Sequence, residues 1–142
     1  MEAIFYSVNF DHKKGDFCPR LRLDHHFIAF FRTDFLYEKN GKLLRGNSGD
    51  MLIIPRGEVV WHGPAPEMNE GFRNDWMYVS GDDFIELVKK YEIPIGTLFK
   101  VGGRHTLAHC IEKIKDEQAA CRDGYKEMCE LHIKEAIIKL HR

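Results

Sequence analysis

The sequence predicts an α+β fold, mainly β, in which an antiparallel β-barrel or sandwich is followed by C-terminal helices. Short apolar or alternating segments separated by turn residues fill the chain up to about residue 80, as in antiparallel sheets. Beyond that point the hydrophobic period changes from two residues to about 3.6. The 142 residues, of which 44% are hydrophobic, suffice for one domain with its own core. We predict a β body over residues 1–101 and helices over 102–142.

Charge and composition exclude several classes of protein. The formal net charge is −1, without the basic surplus of a nucleic-acid-binding module, so we do not expect this chain to hold DNA by itself. No apolar run is long enough to cross a bilayer and no signal peptide is recognisable, which predicts a cytoplasmic protein without a membrane partner. The four cysteines lack C-x-x-C spacing and are expected to be reduced thiols rather than zinc ligands.

Four strand segments are predicted outside the middle of the chain. They cover residues 4–10, 26–33, 35–45 and 72–80. Asn40-Gly41 predicts a hairpin within the third segment, because both residues tolerate positive φ. In the fourth segment, alternation places Trp76 on the opposite face from Met77.

The middle of the chain combines two short strands around a corner. Residues 51–54 form an apolar run of strand length, and Pro55 ends it because proline cannot donate to a sheet ladder. Residues 59–62 then alternate, which places Val60 and His62 on one face. A polar ring beside an apolar residue is typical of a barrel wall that holds a small ligand.

Three helices are predicted after the strands. Asp83 and Glu86 form a capping box at the start of a short helix over about residues 83–91. Two longer helices follow from His105 onward and are separated by the break at Asp123-Gly124.

The last helix carries an apolar stripe that is wider than packing against the barrel alone should need. We predict that this stripe forms a homodimer contact; the alternative is that it covers the barrel. Its predicted interface residues are Cys129, Ile133, Ala136, Ile137 and Leu140.

Several of these features together resemble a known family. The chain contains, in this order, Gly49-Asp50, a corner at residues 55–58, Pro66-Glu67, the strand segment 74–81 and a helix pair. The chain resembles, over nearly its whole length, the N-terminal cupin-like effector-binding and dimerisation domain of AraC-type bacterial transcription regulators.

The resemblance implies a regulator rather than an enzyme, with no cofactor and no catalytic residue. It implies a small polar effector, such as a sugar or related metabolite, and homodimerisation through the C-terminal helices. Promoter DNA would be bound only through a helix-turn-helix domain that this sequence does not include. The resemblance carries a ligand-binding role to Arg20, His62, Arg73 and Trp76.

Each of these residues also has a purely structural interpretation. His62 could be a half-buried histidine at a strand end, Trp76 could pack in the core, and Arg20 could be a solvated loop residue. Arg32, in an otherwise apolar strand, needs a partner if it is buried.

The alternative function is a standalone metal-dependent cupin enzyme that acts on a small metabolite. Metal-binding cupins place two histidines two residues apart on one strand face. His25 and His26 are adjacent and point to opposite faces, so only one of them could share a metal with His62. We therefore predict no metal site.

Overall fold

The computed structural model describes residues 1–13, 20–68 and 71–142. Within these ranges, nine strands precede the first helix and two long helices end the chain, which confirms the mainly β, α+β class. The strands are β1 (Glu2–His12), β2 (Leu21–Arg22), β3 (His26–Phe31), β4 (Phe35–Lys39), β5 (Lys42–Gly46), β6 (Asp50–Ile54), β7 (Val59–Val60), β8 (His62–Gly63), β9 (Phe72–Ser80) and β10 (Phe99–Lys100). The helices are α1 (Asp83–Lys90), α2 (Thr106–Ala120) and α3 (Tyr125–His141).

The strands form three antiparallel sheets. The large sheet has the order β1-β9-β3-β6-β10, and the two small sheets have the orders β5-β4-β8 and β2-β7. The small sheets pack on one face of the large sheet, which we call the inner face, and the helices pack on the other, the helix face. The chain thus has three layers with two apolar cores.

Strand alternation divides the apolar residues between these two cores. In β3, Phe27, Ala29 and Phe31 point to the inner face, whereas Ile28 and Phe30 point to the helix face. All six residues of β3 are buried because both faces are covered, which explains its unbroken apolar sequence. The predicted separation in β9 is confirmed as well, since Trp76 contacts the inner core and Met77 the helix core.

The hairpin predicted from Asn40-Gly41 is present between β4 and β5. Asn40 has a φ of 53° and Gly41 a φ of 76°, as a tight turn with two left-handed residues requires. The turn pairs Lys39 with Lys42 and continues the register to Phe35 and Gly46.

The segment 59–62 departs from the single strand that its alternation predicts. Val60 pairs with Leu21 in one small sheet, and His62 pairs with Tyr37 in the other, with a break at Trp61. The predicted common face nevertheless holds, because Val60 belongs to the inner core and His62 contacts its aromatic rings. Two different strand partners, which no local pattern encodes, cause the break.

The short helix α1 begins where the sequence predicts and ends at Lys90 rather than at residue 91. The predicted capping box is wrong, since Asp82 precedes the helix and makes no side-chain capping hydrogen bond. Asp83 lies in the first turn and instead accepts a 2.9 Å hydrogen bond from the amino terminus of Met1. The break between α2 and α3 is confirmed, with Gly124 at a φ of 78°.

The apolar stripe of α3 is buried within its own chain. Ile133 and Ile137 are each 1% exposed, and Cys129 and Ala136 are also buried in the helix core, with Leu140 packed at its margin. The prediction that Cys129, Ile133, Ala136 and Ile137 face a partner is therefore corrected in favour of packing within the chain, whereas Leu140 is only partly buried.

Candidate functional site: a cleft between the sheets

A cleft of about 330 Å³ opens near the edge of the large sheet, beside the part of β6 that β10 does not pair with, and faces the β4–β5 hairpin. We call it the edge cleft; its volume lies at the lower end of the range for small-molecule sites. Its apolar lining comes from both layers of the sandwich. The lining residues are Tyr37, Glu38, Lys39, Asn40, Leu52, Ile54, Pro55, Glu58, Val59, Val60, Trp61, Ile95 and Gly96.

Strand alternation directs the apolar side chains into the cleft. Leu52 and Ile54 are two residues apart on β6 and both point to the inner face. Tyr37 approaches from β4 and Val60 from β7. Ile95 closes the edge, in a segment that is held to β6 by the hydrogen bond from the Gly96 backbone N–H to the carbonyl of Ile53.

Arg20 lies at the rim of this cleft, where it contacts two of the lining residues, Glu38 and Trp61. Its Nε donates to both carboxylate oxygens of Glu38, at 3.1 and 2.9 Å, and its Nη2 also pairs with Oε2. The hydrogen bond from Arg20 lowers the pKa of Glu38. The guanidinium carbon lies 5.9 Å from the centre of the Trp61 ring. Thus Arg20 is neither a free loop residue nor a free donor, because its fork is engaged by Glu38.

The imidazole of His62 lies beside the cleft, in an aromatic cage. The centres of the Phe27, Phe31 and Phe72 rings are 5.6–5.7 Å from it. Burial, together with the nearby His12, lowers the pKa of His62 to about 4, so the ring is neutral at pH 7. Its Nδ1 is buried and has no hydrogen-bond partner in the described part of the chain.

A second orphaned polar atom lies on the same inner face. Asn74 is fully buried, and its Oδ1 lies 3.0 Å from Nε2 of His12, whereas its Nδ2 has no partner among the described residues. The His12 ring stacks on Phe72 at 4.2 Å and meets His62 edge-on at 6.0 Å. Two buried atoms are therefore able to accept or donate a hydrogen bond without breaking an existing one.

Trp76 also points to the inner face, as its alternation predicts. It packs edge-on against Phe10 at 6.0 Å and Tyr78 at 5.6 Å. Trp76 and His62 therefore share the interior between the sheets, although neither lines the edge cleft.

The two other arginines considered from sequence do not reach the inner face. Arg73 alternates with Trp76 on β9, so it belongs to the opposite face, and its side chain is exposed. Arg32 donates from Nε to Oδ1 of the fully buried Asp75 at 2.8 Å, and this oxygen also accepts the Asn9 backbone N–H at 2.7 Å. Arg32, which lies just after β3 and is 26% exposed, therefore pairs with a buried carboxylate and does not point at the cleft.

The histidines considered for a metal site are separated by the large sheet. His26 is buried on the helix face, 5.9 Å from the Phe84 ring, while His62 lies on the inner face. Among residues 1–13, 20–68 and 71–142, no three His, Cys, Asp or Glu side chains are placed to hold a metal ion. The two rings cannot share a metal in this fold.

Sequence reasoning missed most of the residues that shape the site. Tyr37 lies within the predicted hairpin segment 35–45, and the alternation of residues 59–62 places Trp61 on the face opposite His62. The tertiary pairing of Tyr37 with His62 brings the cleft beside the imidazole. The available signal for Tyr37 was its two-residue spacing from Phe35, which predicts a common inward face. No local signal predicts that His12 approaches Asn74.

Comparisons with known proteins support the architecture. No protein-family model matches the chain, and no curated protein matches it. A 1.65 Å structure of ToxT from Vibrio cholerae, an AraC-family regulator, aligns with a TM-score of 0.52 at 16% identity, over 79% of this chain and 47% of that chain. At this identity the likeness supports the fold alone.

Two further alignments have TM-scores below 0.5. ToxT bound to (E)-4-(8-methylnaphthalen-1-yl)but-3-enoic acid aligns at 0.49 and 10% identity, over 99% of this chain and 57% of that chain. Streptomyces albus HEPD with 2-hydroxyethylphosphonate and Fe(II) bound aligns at 0.35 and 15% identity, over 95% of this chain and 37% of that chain. The chain spans about half the length of the ToxT structures it matches. None of its described helices is long and apolar enough to cross a membrane.

Proposed function

We propose that this chain is the effector-binding domain of an AraC-type transcription regulator and that it binds a small molecule in the edge cleft. The observation that carries the proposal is the cleft itself, a cavity of about 330 Å³ between two layers of sheet that both apolar and charged residues line. Its size and its mixed lining suit a small metabolite. The fold shared with ToxT is consistent with this role.

Four residues from the sequence-based proposal occupy different positions relative to the cleft. Arg20 lies at the rim, and His62 neighbours the cleft through its cross-strand partner Tyr37. Trp76 lies deeper on the inner face, and Arg73 is not included because it belongs to the other face. An effector that reached His62 would satisfy the orphaned Nδ1.

The regulatory part of the proposal is population shift between two arrangements of the protein. An effector acts only if it binds one arrangement better than the other. DNA binding would belong to a domain outside this sequence, and homodimerisation would use the C-terminal helices. Since the stripe of α3 is buried, we place the contact on its solvent side, where Met128 and Leu131 are exposed.

A thermal-shift screen of small metabolites, including monosaccharides, tests ligand binding. We expect a stabilising compound whose effect is lost in Tyr37→Ala, which removes one cleft wall, and retained in Leu43→Ala, an exposed hairpin control. A stabilisation that is equal in both variants would place the ligand elsewhere.

A reporter assay tests the regulatory role. The chain is fused to a heterologous DNA-binding domain that requires dimerisation, and transcription is measured with and without the compound. We expect reporter activity to depend on the compound and to fall in Leu131→Asp. Equal activity of the parent fusion and the Leu131→Asp fusion would contradict dimerisation through this face.

A further inference from the structure

We propose that the edge cleft binds a small organic cation, namely an amine or guanidinium on an apolar body, which displaces Arg20 from Glu38 and Trp61. This inference rests on the proposed function, because it names the class of ligand for the same cleft. It follows from the contacts that the Arg20 guanidinium makes with Glu38 and Trp61 at the rim.

The contacts of Arg20 define a guanidinium site. Its Nε donates to both oxygens of Glu38, its Nη2 pairs with Oε2, and its guanidinium carbon lies 5.9 Å from the centre of the Trp61 ring. A carboxylate combined with an aromatic ring is the combination by which proteins recognise guanidinium and ammonium groups. The recognising groups, Glu38 and Trp61, both line the cleft, whereas Arg20 reaches them from its rim.

Arg20 is held weakly enough to be replaced. Its side chain is 60% exposed, whereas that of Glu38 is 22% exposed. Water competes for the exposed guanidinium, so this pair contributes less free energy than a buried pair of the same geometry would. A ligand that adds apolar contacts inside the cleft therefore has an advantage over the side chain that it displaces.

The charges of the cleft favour a cation once Arg20 has moved. The lining residues include two acidic residues, Glu38 and Glu58, and one basic residue, Lys39. Within the described residues, the Glu58 side chain makes no hydrogen bond or ion pair. The lining then carries one excess negative charge, which disfavours a carboxylate ligand at this rim.

The apolar floor specifies the rest of the ligand. Leu52, Ile54, Val60 and Ile95 line the cleft next to the charged rim. A volume of about 330 Å³ accommodates an aromatic ring or a short branched chain. The ligand is therefore amphipathic, with its apolar body on the floor and its cation at Glu38.

Three probes with the same phenyl group test the class of ligand. The cation is 2-phenylethylguanidine, the neutral compound is 3-phenylpropanol and the anion is 3-phenylpropanoate. Dissociation constants are measured by NMR titration of the whole chain, with the Tyr37 and Trp61 resonances as the site-specific readout. We expect the cation to bind at least tenfold more tightly than either of the others.

Two variants test displacement directly. Arg20→Ala is expected to tighten binding of the cation about two- to fivefold, because the ligand no longer competes with a side chain. Glu38→Gln is expected to weaken it about tenfold. Arg22→Ala is the matched control, since Arg22 donates to the carbonyl of Gly57 and does not line the cleft, and binding should be unchanged.

The outcomes separate this inference from the proposed function. If 3-phenylpropanol shifts the cleft resonances as strongly as the cation, the cleft remains a small-molecule site but the class of ligand is wrong. If Arg20→Ala leaves cation binding unchanged or weakens it, Arg20 is not a competitor and the inference fails. If no probe shifts these resonances, the cation site is refuted, and the metabolite screen decides on the cleft independently.

Discussion

Arg56 donates its backbone N–H to Nδ1 of His26 at 3.0 Å, so a buried imidazole holds the corner that follows β6. Because Nδ1 accepts, the proton of the neutral ring lies on Nε2, which donates to Asp82 at 3.2 Å. The Arg56 side chain reaches the same carboxylate, at 3.1 Å from its Nε. The corner beside the edge cleft is thereby tied to the residue that precedes α1.

Replacing His26 is expected to destabilise the chain. His26→Phe preserves the aromatic volume but leaves the backbone N–H of Arg56 unpartnered, at a cost of about 1–3 kcal/mol. Urea denaturation measures the free energy of unfolding, and His25→Ala, at the neighbouring and less buried position, is the control. Equal stability of His26→Phe and the parent chain would show that this hydrogen bond does not hold the corner.

Acid is expected to destabilise the protein through His62. Burial lowers the folded-state pKa of His62 from 6.5 to about 4, so the unfolded chain takes up the proton first. The resulting stabilisation is complete above pH 6.5 and is lost as the pH falls towards 4, by about 3 kcal/mol in total. His26, whose pKa is also lowered by burial, acts in the same direction.

Comparison of variants isolates the contribution of His62 to the pH dependence of stability. Unfolding free energies are measured from pH 4 to 7.5 for the parent chain, His62→Gln and the exposed control His109→Gln. We expect a shallower decline only in His62→Gln. Parallel curves for all three would mean that the imidazole remains accessible to protons in the folded state.

Removing Arg32 is expected to lower the free energy of unfolding, because it leaves the buried carboxylate of Asp75 without its ionic partner. Arg32→Ala leaves Asp75 with only the Asn9 N–H, at a cost of about 3 kcal/mol. In a double-mutant cycle with Asp75→Ala, the double variant should lose about 1–3 kcal/mol less than the sum. Arg73→Ala, the exposed control on β9, should change stability by less than about 0.5 kcal/mol. Strict additivity would contradict the coupling.

The buried stripe of α3 predicts a loss of stability rather than a change in assembly. Ile133→Ala opens a cavity in the helix core and should cost about 2–5 kcal/mol. Lys126→Ala, on the exposed side of the same helix, should be nearly neutral. Chemical denaturation and light scattering are measured on the same samples. If Ile133→Ala were a folded monomer as stable as the parent chain, Ile133 would belong to a partner interface instead.

Local chemistry in the sequence was enough to predict the class and most elements. Asn40-Gly41 defines a tight hairpin because its backbone conformation is intrinsic to those two residues. The spacing around Phe84 predicts α1 because the period of apolar residues reflects one buried helix face. The alternation of Trp76 with Met77 is likewise correct, since consecutive strand residues always point to opposite faces.

Only the tertiary structure decided which surface each face meets. The stripe through Ile133 and Ile137 is equally compatible with a partner and with the chain's own sheet. An apolar pattern predicts that a face is buried but not which surface buries it. The break at Trp61 and the site around Tyr37, Glu38 and Arg20 depend on strands paired across long sequence separations. The sequence by itself determined the elements and their apolar faces; long-range packing decided how they enclose a cleft and which side chains reach it.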